Sequence, residues 1–207
     1  MAENNVIIQT HLPQDVVNIM IQHLEQYDAY LKPASILRSQ PSIEQDRRST
    51  QVAWIQQENW IAAFVDYYIR LANDLNFKYD INNLDGGQMQ YTVYNQGDHY
   101  GWHTDSGLTE LYANKKYPAW RETNLSDYIT PKAEYTRKLS FSLQLSDPNT
   151  YTGGHLQLLP PNDQLTTANL DLGSLIIFDS RTKHRVTKIK SGQRKSLVGW
   201  IIGPRWK

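Results

Sequence analysis

The sequence contains no cysteine. Disulfides, thiolate zinc sites, iron–sulfur clusters and cysteine nucleophiles are therefore excluded, and any bound metal needs histidine and carboxylate ligands. The chain also has no surplus of charge, because 21 basic residues balance 21 acidic ones. This balance argues against nucleic acid or an anionic membrane as a partner, since both attract basic proteins.

Long apolar segments are missing as well. The longest apolar runs are far too short to span a bilayer, and the first residues lack the basic start and apolar run of a signal peptide. The sequence therefore predicts no membrane association and a cytoplasmic location. With 207 residues, 40% of them hydrophobic, we expect a single domain over residues 1–207 with a substantial core.

The first 87 residues predict supporting helices and short strands. After Pro13, apolar residues recur at three- and four-residue steps, which indicates one helix. A second helix is predicted from about residue 58 to residue 75, and a strand over residues 50–55. Both helices are expected to pack against a sheet rather than bind a cofactor. Their predicted apolar positions are Val16, Met20, Leu24 and Tyr27, and then Ile61, Phe64, Val65, Tyr68, Leu71 and Leu75.

From residue 88 onward the hydrophobic period becomes that of β-strands. Residues 88–94 alternate, and residues 139–145 alternate more cleanly, with four apolar side chains opposite three uncharged polar ones. Many short strands predict a sandwich or a barrel. Uncharged polar faces fit a polar pocket inside a barrel about as well as the solvent face of a sandwich. Further strands are predicted over residues 155–159, 174–178, 185–189 and 196–202.

Residues 106–136 interrupt the strand pattern. The stretch holds five aromatic residues and two prolines among mostly polar positions. A loop of about thirty residues in a compact domain is usually functional or disordered. The aromatic content favours a lid or an insertion that contacts substrate.

His103 and Asp105 form an HxD motif. On a strand, residues two apart point to the same side, so an imidazole and a carboxylate can converge on one ion. His184, from a distant predicted strand, can complete a set of two histidines and one carboxylate. Three protein ligands leave positions open on iron(II) for a co-substrate and O2, although zinc accepts the same ligands. An HxD motif alone is weak evidence, because it is common by chance.

A second group of polar residues follows His184. Arg194 and Ser196 share one face of the last long strand, and Lys195 is expected to be solvated on the opposite face. A guanidinium inside a barrel needs an anion, and its fork matches a carboxylate. Tyr94, on the polar face of its own strand, can donate a hydrogen bond to the same anion. Without His184 upstream, a surface salt bridge would be the better interpretation of Arg194.

Several spaced segments occur in a specific order over roughly residues 88–202. They are YNQGDHYGWHTD (94–105), RKLSFSLQL (137–145), GGHL (153–156), GSLIIF (173–178), HRV (184–186) and GQRKS (192–196). Together they resemble the 2-oxoglutarate- and iron(II)-dependent dioxygenases, in their prolyl 4-hydroxylase-like branch. The resemblance implies an α+β, mainly β fold: a double-stranded β-helix (jelly-roll) core over residues 88–203, with N-terminal supporting helices.

The resemblance also implies roles for individual residues. His103, Asp105 and His184 fall on the iron ligands of the family. Arg194 falls on the basic residue that binds the distal carboxylate of 2-oxoglutarate, and Tyr94 falls on the tyrosine that hydrogen-bonds it. His103, Asp105, His184 and Arg194 are therefore the expected catalytic residues, and Tyr94 is expected to bind the co-substrate.

Five further positions are expected near this centre or depart from the family pattern. Val186 and Trp200 match pocket-wall positions, and Ser196 can add a hydroxyl to the anion site. Gln144 is counted with the co-substrate contacts, but relatives often carry a tyrosine there. His155 stands where this branch often has glutamate. Since it lacks an HxD partner, His155 is interpreted as structural or substrate-facing rather than as a ligand.

The implied reaction is hydroxylation of an unactivated C–H bond with iron(II), 2-oxoglutarate and O2, and with ascorbate as a candidate reductant. Asp105 favours hydroxylation, because halogenating relatives carry a small residue there. Trp200 stands six residues after Arg194, where oxidative nucleic-acid demethylases carry a second arginine, which argues against nucleic-acid repair. The branch favours a peptidyl proline as substrate. A free amino acid or small metabolite is the alternative, and a non-enzymatic jelly-roll binding module is a weaker one.

Overall fold

The computed structural model describes residues 6–34, 48–106, 135–161 and 164–206. Within these ranges the helices are α1 (Gln14–Glu25) and α2 (Trp60–Ala72). The strands are β1 (Ile7–His11), β2 (Lys32–Pro33), β3 (Arg48–Ser49), β4 (Gln51–Gln56), β5 (Gln88–Tyr94), β6 (His99–His103), β7 (Tyr135–Gln144), β8 (Thr152–Gly153), β9 (Leu156–Leu159), β10 (Thr166–Thr167), β11 (Ser174–Asp179), β12 (Lys183–Val186), β13 (Ile189–Ser191) and β14 (Arg194–Pro204).

Two antiparallel sheets hold most of these strands. The larger sheet has the order β1-β11-β7-β14-β5-β4-β2, and the smaller sheet has the order β10-β9-β12-β6-β3. Strands that are neighbours in space are mostly distant in sequence, since the chain crosses repeatedly between the sheets. The predicted double-stranded β-helix is confirmed, and one face of the larger sheet lines a polar cavity rather than solvent.

The other face of the larger sheet is apolar and packs against the two helices. Phe141 and Leu143 of β7 lie in one buried cluster with Met89 of β5 and with side chains from α1 and α2. The alternation predicted for residues 139–145 is therefore present in the structure. Each buried aliphatic or aromatic side chain of this cluster contributes roughly 1.5–3 kcal/mol through removal from water. The helices thus cover the apolar face of the larger sheet, and its polar face remains available for a site.

Both predicted helices exist, but part of the predicted stripe of α2 is wrong. Leu71 and Leu75 are 42% and 68% exposed, whereas Ile69 and Ala72 are buried. Leu71 lies two residues after the buried Ile69 and therefore on the other side of α2. A π-helical turn then follows α2 over Asn73–Phe77 and rotates Leu75 away from the sheet. No helix in the described ranges is long and apolar enough to cross a membrane.

A β-bulge in β7 alters which residues face the cavity. Ile201 of β14 pairs with Leu139, but the next residue, Ile202, pairs with Arg137, so Lys138 has no partner across the strand pair. An extra residue of this kind shifts the alternation of side chains by one position. Arg137 therefore lines the cavity, although strict alternation would place it on the apolar face.

Other boundaries differ from the sequence prediction. The strand expected over residues 155–159 begins at Leu156, and the one expected over residues 185–189 is divided between β12 and β13. The predicted lid at 106–136 lies outside the described residues, apart from its first residue and its last two.

Candidate metal centre

A cavity of about 580 Å³ lies between the two sheets. Arg194, Ser196, Val198 and Trp200 all line it, because they alternate along one face of β14. His184 of β12 lines the opposite side. Arg194 and the alternate residues after it were expected to share one face of the strand, and this face forms part of the cavity wall.

Two histidines and one aspartate meet inside the cavity. His103 ends β6 and lies directly across from His184 of β12, and Asp105 follows two residues after His103. One candidate ligand atom from each residue lies within 4.8 Å of the others. The Asp105 carboxylate is 3.7 Å from Nε2 of His103 and 3.4 Å from Nε2 of His184. All three residues are buried, so a bound ion would be shielded from bulk water.

Backbone carbonyls fix both imidazoles in the tautomer that a metal requires. Nδ1 of His103 lies 2.8 Å from the carbonyl oxygen of Gly101, and Nδ1 of His184 lies 2.9 Å from that of Thr182. A carbonyl oxygen can only accept, so each Nδ1 carries the proton and each Nε2 presents its lone pair toward Asp105. Neutral nitrogen donors and one carboxylate fit a divalent transition metal, and iron(II) in particular.

A serine pair positions the Asp105 carboxylate. The Ser140 hydroxyl donates to Oδ2 of Asp105 at 2.7 Å and lies 2.9 Å from the Ser180 hydroxyl. The Asp105 backbone N–H also donates to the Ser180 carbonyl at 2.9 Å. Alternation predicts Ser140 on the polar face of its strand, but no local pattern indicates its hydrogen bond to Asp105.

Two aromatic rings fix the planes of the imidazoles. Tyr100 stacks on His103 with ring centroids 3.6 Å apart, and Phe178 meets His184 edge-on at 4.8 Å. Both aromatics line the cavity. They limit ring rotation and exclude water from that side of the ligands.

Burial keeps the first histidine neutral. Burial, the largest cause, and the neighbouring His184 together lower the pKa of His103 from 6.5 to about 3, although Asp105 opposes the shift. Burial alone would raise the pKa of Asp105, but His184, His103 and Arg137 outweigh it and hold that pKa below its usual value. Near neutral pH His103 is therefore a neutral lone-pair donor beside an ionised Asp105 carboxylate.

The metal-free protein is expected to lose stability below pH 6.5. The unfolded chain binds a proton at His103 near pH 6.5, but the folded chain does so only near pH 3, so the free energy of unfolding falls with pH between these values. The contribution lost between pH 6.5 and pH 5 is on the order of 2 kcal/mol.

Urea unfolding of the chelator-treated protein at several pH values measures this effect. His103→Asn should flatten the pH dependence, whereas His11→Asn, at a half-exposed side chain, should not. Equal pH slopes for the wild-type protein and His103→Asn would contradict the assignment.

A buried cation lies at the other end of the cavity. Arg194 is 3% exposed, and its Nη1 donates to the Ser196 hydroxyl at a long 3.4 Å. Its buried Nε has no hydrogen-bond partner, and no carboxylate of the described residues forms an ion pair with it. Tyr94, its partner across the strands, holds a buried ring 5.7 Å from the guanidinium. An uncompensated buried charge is costly, so this end of the cavity is suited to an anion from outside the chain.

The sequence model of a family described as the 2OG-Fe(II) oxygenase superfamily matches residues 89–202, more than half of the chain. The chain belongs to the 2OG-Fe(II) oxygenase superfamily. This superfamily uses iron(II), 2-oxoglutarate and O2, and the histidine–aspartate–histidine group of this oxygenase can bind iron.

Individual relatives of this oxygenase are hydroxylases. A PKHD-type hydroxylase of Crocosphaera subtropica is 29% identical over 131 residues, which are 63% of this chain and 50% of the relative. The chain thus spans about half the length of that relative.

Two solved structures share the fold at low sequence identity. A prolyl-4-hydroxylase of Pseudomonas putida has a TM-score of 0.65 at 20% identity, covering 99% of this chain and 95% of its own. A prolyl hydroxylase of Trichoplax adhaerens, solved with a hypoxia-inducible-factor peptide fragment, has a TM-score of 0.67 at 17% identity, covering 96% and 83%. At such identities the likeness establishes the fold of the oxygenase.

The remaining predicted site residues lie in two places. Val186 and Trp200 line the cavity of the oxygenase. Gln144 instead donates from Nε2 to the hydroxyl of Tyr151 at 2.7 Å. Among the described residues, His155 is not part of the candidate metal group.

The solvated position predicted for Lys195 is wrong. The residue does leave the cavity face, but its side chain is only 22% exposed and pairs with Asp28 at 3.0 Å. It also lies over the ring of Tyr91. Asp28 lies in the 3-10 turn after α1 and Tyr91 in the neighbouring strand β5, and the alternation of β14 cannot reveal either partner.

Sequence reasoning missed two cationic groups in the cavity wall. Arg137 forms a buried ion pair with Asp85 at 2.7 Å and stacks on Trp200 at 3.8 Å. Arg48 lies 4.6 Å from the ring centre of Tyr100. Arg137 was missed because the bulge at Lys138 shifts the alternation of side chains along β7. Arg48 lies on a two-residue strand that no periodicity could predict.

Proposed function

We propose that this protein is a 2-oxoglutarate-dependent hydroxylase in which His103, Asp105 and His184 bind iron(II). Arg194 then binds the distal carboxylate of 2-oxoglutarate, beside Tyr94 and Ser196. The observation that carries the proposal is the presence, in one cavity, of an open three-ligand metal group and a buried cation without an anionic partner. A metal site alone, or a buried arginine alone, would not favour this chemistry.

The chain itself contributes orientation and a shielded space. Iron(II) with 2-oxoglutarate and O2 supplies the oxidising chemistry. The backbone carbonyls behind the two imidazoles and the Ser140 hydroxyl behind Asp105 hold the ligands in position. Phe178 and Val186 add an apolar wall that keeps water from the reacting groups.

The substrate we propose is a proline residue within a peptide. The named hydroxylases among the similar structures, and the peptide bound to one of them, support this choice. The cavity offers aromatic surfaces of Trp54, Tyr100 and Trp200, and Trp54 is 46% exposed. Aromatic-lined grooves favour extended proline-rich segments, because these lose little entropy on binding.

A free amino acid is the second candidate substrate. Arg48 and the Arg137–Asp85 pair bring charges of both signs to the cavity wall. Such charges can pair with the carboxylate and ammonium groups of a small zwitterion.

A cytoplasmic location, ascorbate as reductant and the division into residues 1–87 and 88–203 stay predictions.

The deciding experiment measures succinate formation by the iron-loaded protein with three substrates. They are a proline-rich peptide, the same peptide with alanine for proline, and free proline. We expect the proline peptide to stimulate succinate formation and to gain one oxygen atom on proline, located by tandem mass spectrometry. Stimulation by free proline alone would favour the second candidate. If no substrate from a broad peptide and amino-acid panel stimulates turnover, a binding module becomes the better interpretation.

A further inference from the structure

The Tyr151 hydroxyl lies next to the anion site but has no role in the proposed reaction so far. We infer that it donates a hydrogen bond to the distal carboxylate of 2-oxoglutarate held by Arg194, with Gln144 setting its direction. The inference rests on the proposed function and adds Tyr151 to the co-substrate contacts. It is a property of this chain's own packing, because the hydroxyl comes from a loop residue rather than from a strand of the cavity wall.

Strand register places the hydroxyl near Arg194. Gln144 lies directly across from Ser196, and Ser196 accepts a hydrogen bond from the Arg194 guanidinium. The Nε2 atom of Gln144 is 2.7 Å from the Tyr151 hydroxyl oxygen. The hydroxyl is therefore next to the Ser196–Arg194 pair, and Arg194 also lowers the pKa of Tyr151 against the larger raising effect of burial.

The orientation of the Gln144 amide follows from its second partner. The same Nε2 atom lies 3.2 Å from the backbone carbonyl of Ser146, which can only accept a hydrogen bond. The atom facing both groups is therefore the amide nitrogen, and it donates to the oxygen of Tyr151. The phenol proton must then point away from Gln144.

The anion site has donors in excess. Arg194 has a buried Nε without a partner, Ser196 is already used as an acceptor, and the Tyr151 proton is turned away from Gln144. A buried donor without an acceptor costs about 1–3 kcal/mol. A carboxylate between Arg194 and Tyr151 would satisfy both groups, because its two oxygens accept several hydrogen bonds.

Two glycines allow this approach. A Cβ atom on Gly154 would lie 3.1 Å from Cδ of Arg194 and 3.4 Å from Cε2 of Tyr151, and one on Gly192 would lie 2.9 Å from Cβ of Tyr151. Both glycines have positive φ angles, of 64° and 74°. A side chain at Gly154 would lie between the ring of Tyr151 and the stem of Arg194, and one at Gly192 would clash with the backbone of Thr150 and Tyr151.

The test compares two ligands that differ only in the distal carboxylate. The affinities of 2-oxoglutarate and 2-oxopentanoate for the full-length nickel(II)-loaded protein are measured by titration calorimetry, which needs no turnover. Tyr151→Phe keeps the ring and removes the hydroxyl. We expect it to weaken 2-oxoglutarate binding about tenfold or more, as for a hydrogen bond to a charged group, and to leave 2-oxopentanoate binding unchanged.

Tyr91→Phe is the matched control, because its hydroxyl is also hydrogen-bonded but contacts Asp28 on the far side of the sheet. It should change neither affinity. Equal weakening of both ligands by Tyr151→Phe, or no weakening, would overturn the inference. If the wild-type protein itself does not prefer 2-oxoglutarate, the proposed function fails as well. Should Tyr151→Phe not fold, Gln144→Leu decides: a selective loss for 2-oxoglutarate supports the inference, and unchanged affinity overturns it.

Discussion

Replacing His184 with alanine should lower iron(II) affinity by more than about 100-fold. Removing a residue that only orients a metal ligand typically lowers metal affinity by about 10–100-fold. His184 is itself a proposed ligand, so its removal should cost more. His184 is also the residue through which β12, paired with β6 at His103, contributes to the site. Hydroxylation should fall to background, because the two remaining residues no longer define an open three-ligand face.

The measurement is the weak visible charge-transfer band of the protein with iron(II) and 2-oxoglutarate under anaerobic conditions. His155→Ala is the matched control, since it removes another partly buried histidine that lies outside the candidate metal group. The band should persist in His155→Ala and disappear in His184→Ala. A band of equal strength in both variants would show that the metal is held elsewhere.

Replacing Arg194 with alanine should weaken 2-oxoglutarate binding by at least about 30-fold. Removing one partner of a buried, hydrogen-bonded charge pair costs roughly 2–5 kcal/mol, and every 1.4 kcal/mol corresponds to about a factor of ten. The proposed metal ligands are untouched by this change, so iron(II) affinity should stay at the wild-type value. The variant thus separates the anion end of the cavity from the metal end.

Lys195→Ala is the neighbouring control for Arg194→Ala. Lys195 has the same charge and lies next in sequence, but its side chain is on the opposite face and pairs with Asp28. Its removal should leave the Michaelis constant for 2-oxoglutarate unchanged. Comparable increases in that constant for the two variants would mean that net charge, rather than the position of Arg194, controls binding.

The parts of the site that the sequence predicted are those set by local strand geometry. The positions of His103 and Asp105, and the shared face of Arg194 and Ser196, follow from a period of two residues. Predicting that His184 joins His103 needed the resemblance to a family, because no local pattern links residues so far apart in the sequence. The alternation of residues 88–94 and 139–145 predicted strands but left a sandwich or a barrel open, and the double-stranded β-helix followed from the family resemblance.

The errors arose where tertiary packing overrides local pattern. A π-helical turn displaced Leu75, and a bulge moved Arg137 to the cavity face. The ion pair of Lys195 depends on a residue far away in sequence. Tyr151 comes from a loop, and its partner Gln144 was recognised only as a departure from the family pattern. None of these contacts leaves a periodic trace in the sequence.

The β-bulge at Lys138 determines which side chain of β7 faces the cavity opposite Ile202. The ladder between β7 and β14 resumes on both sides of the bulge, so the apolar face that supports the helices does not depend on which residue faces inward at position 137. Deleting Arg137 would bring Lys138 opposite Ile202 in its place and remove the charge pair with Asp85. A single-codon deletion at this position would thus change the cavity wall while leaving the proposed metal ligands and Arg194 in register.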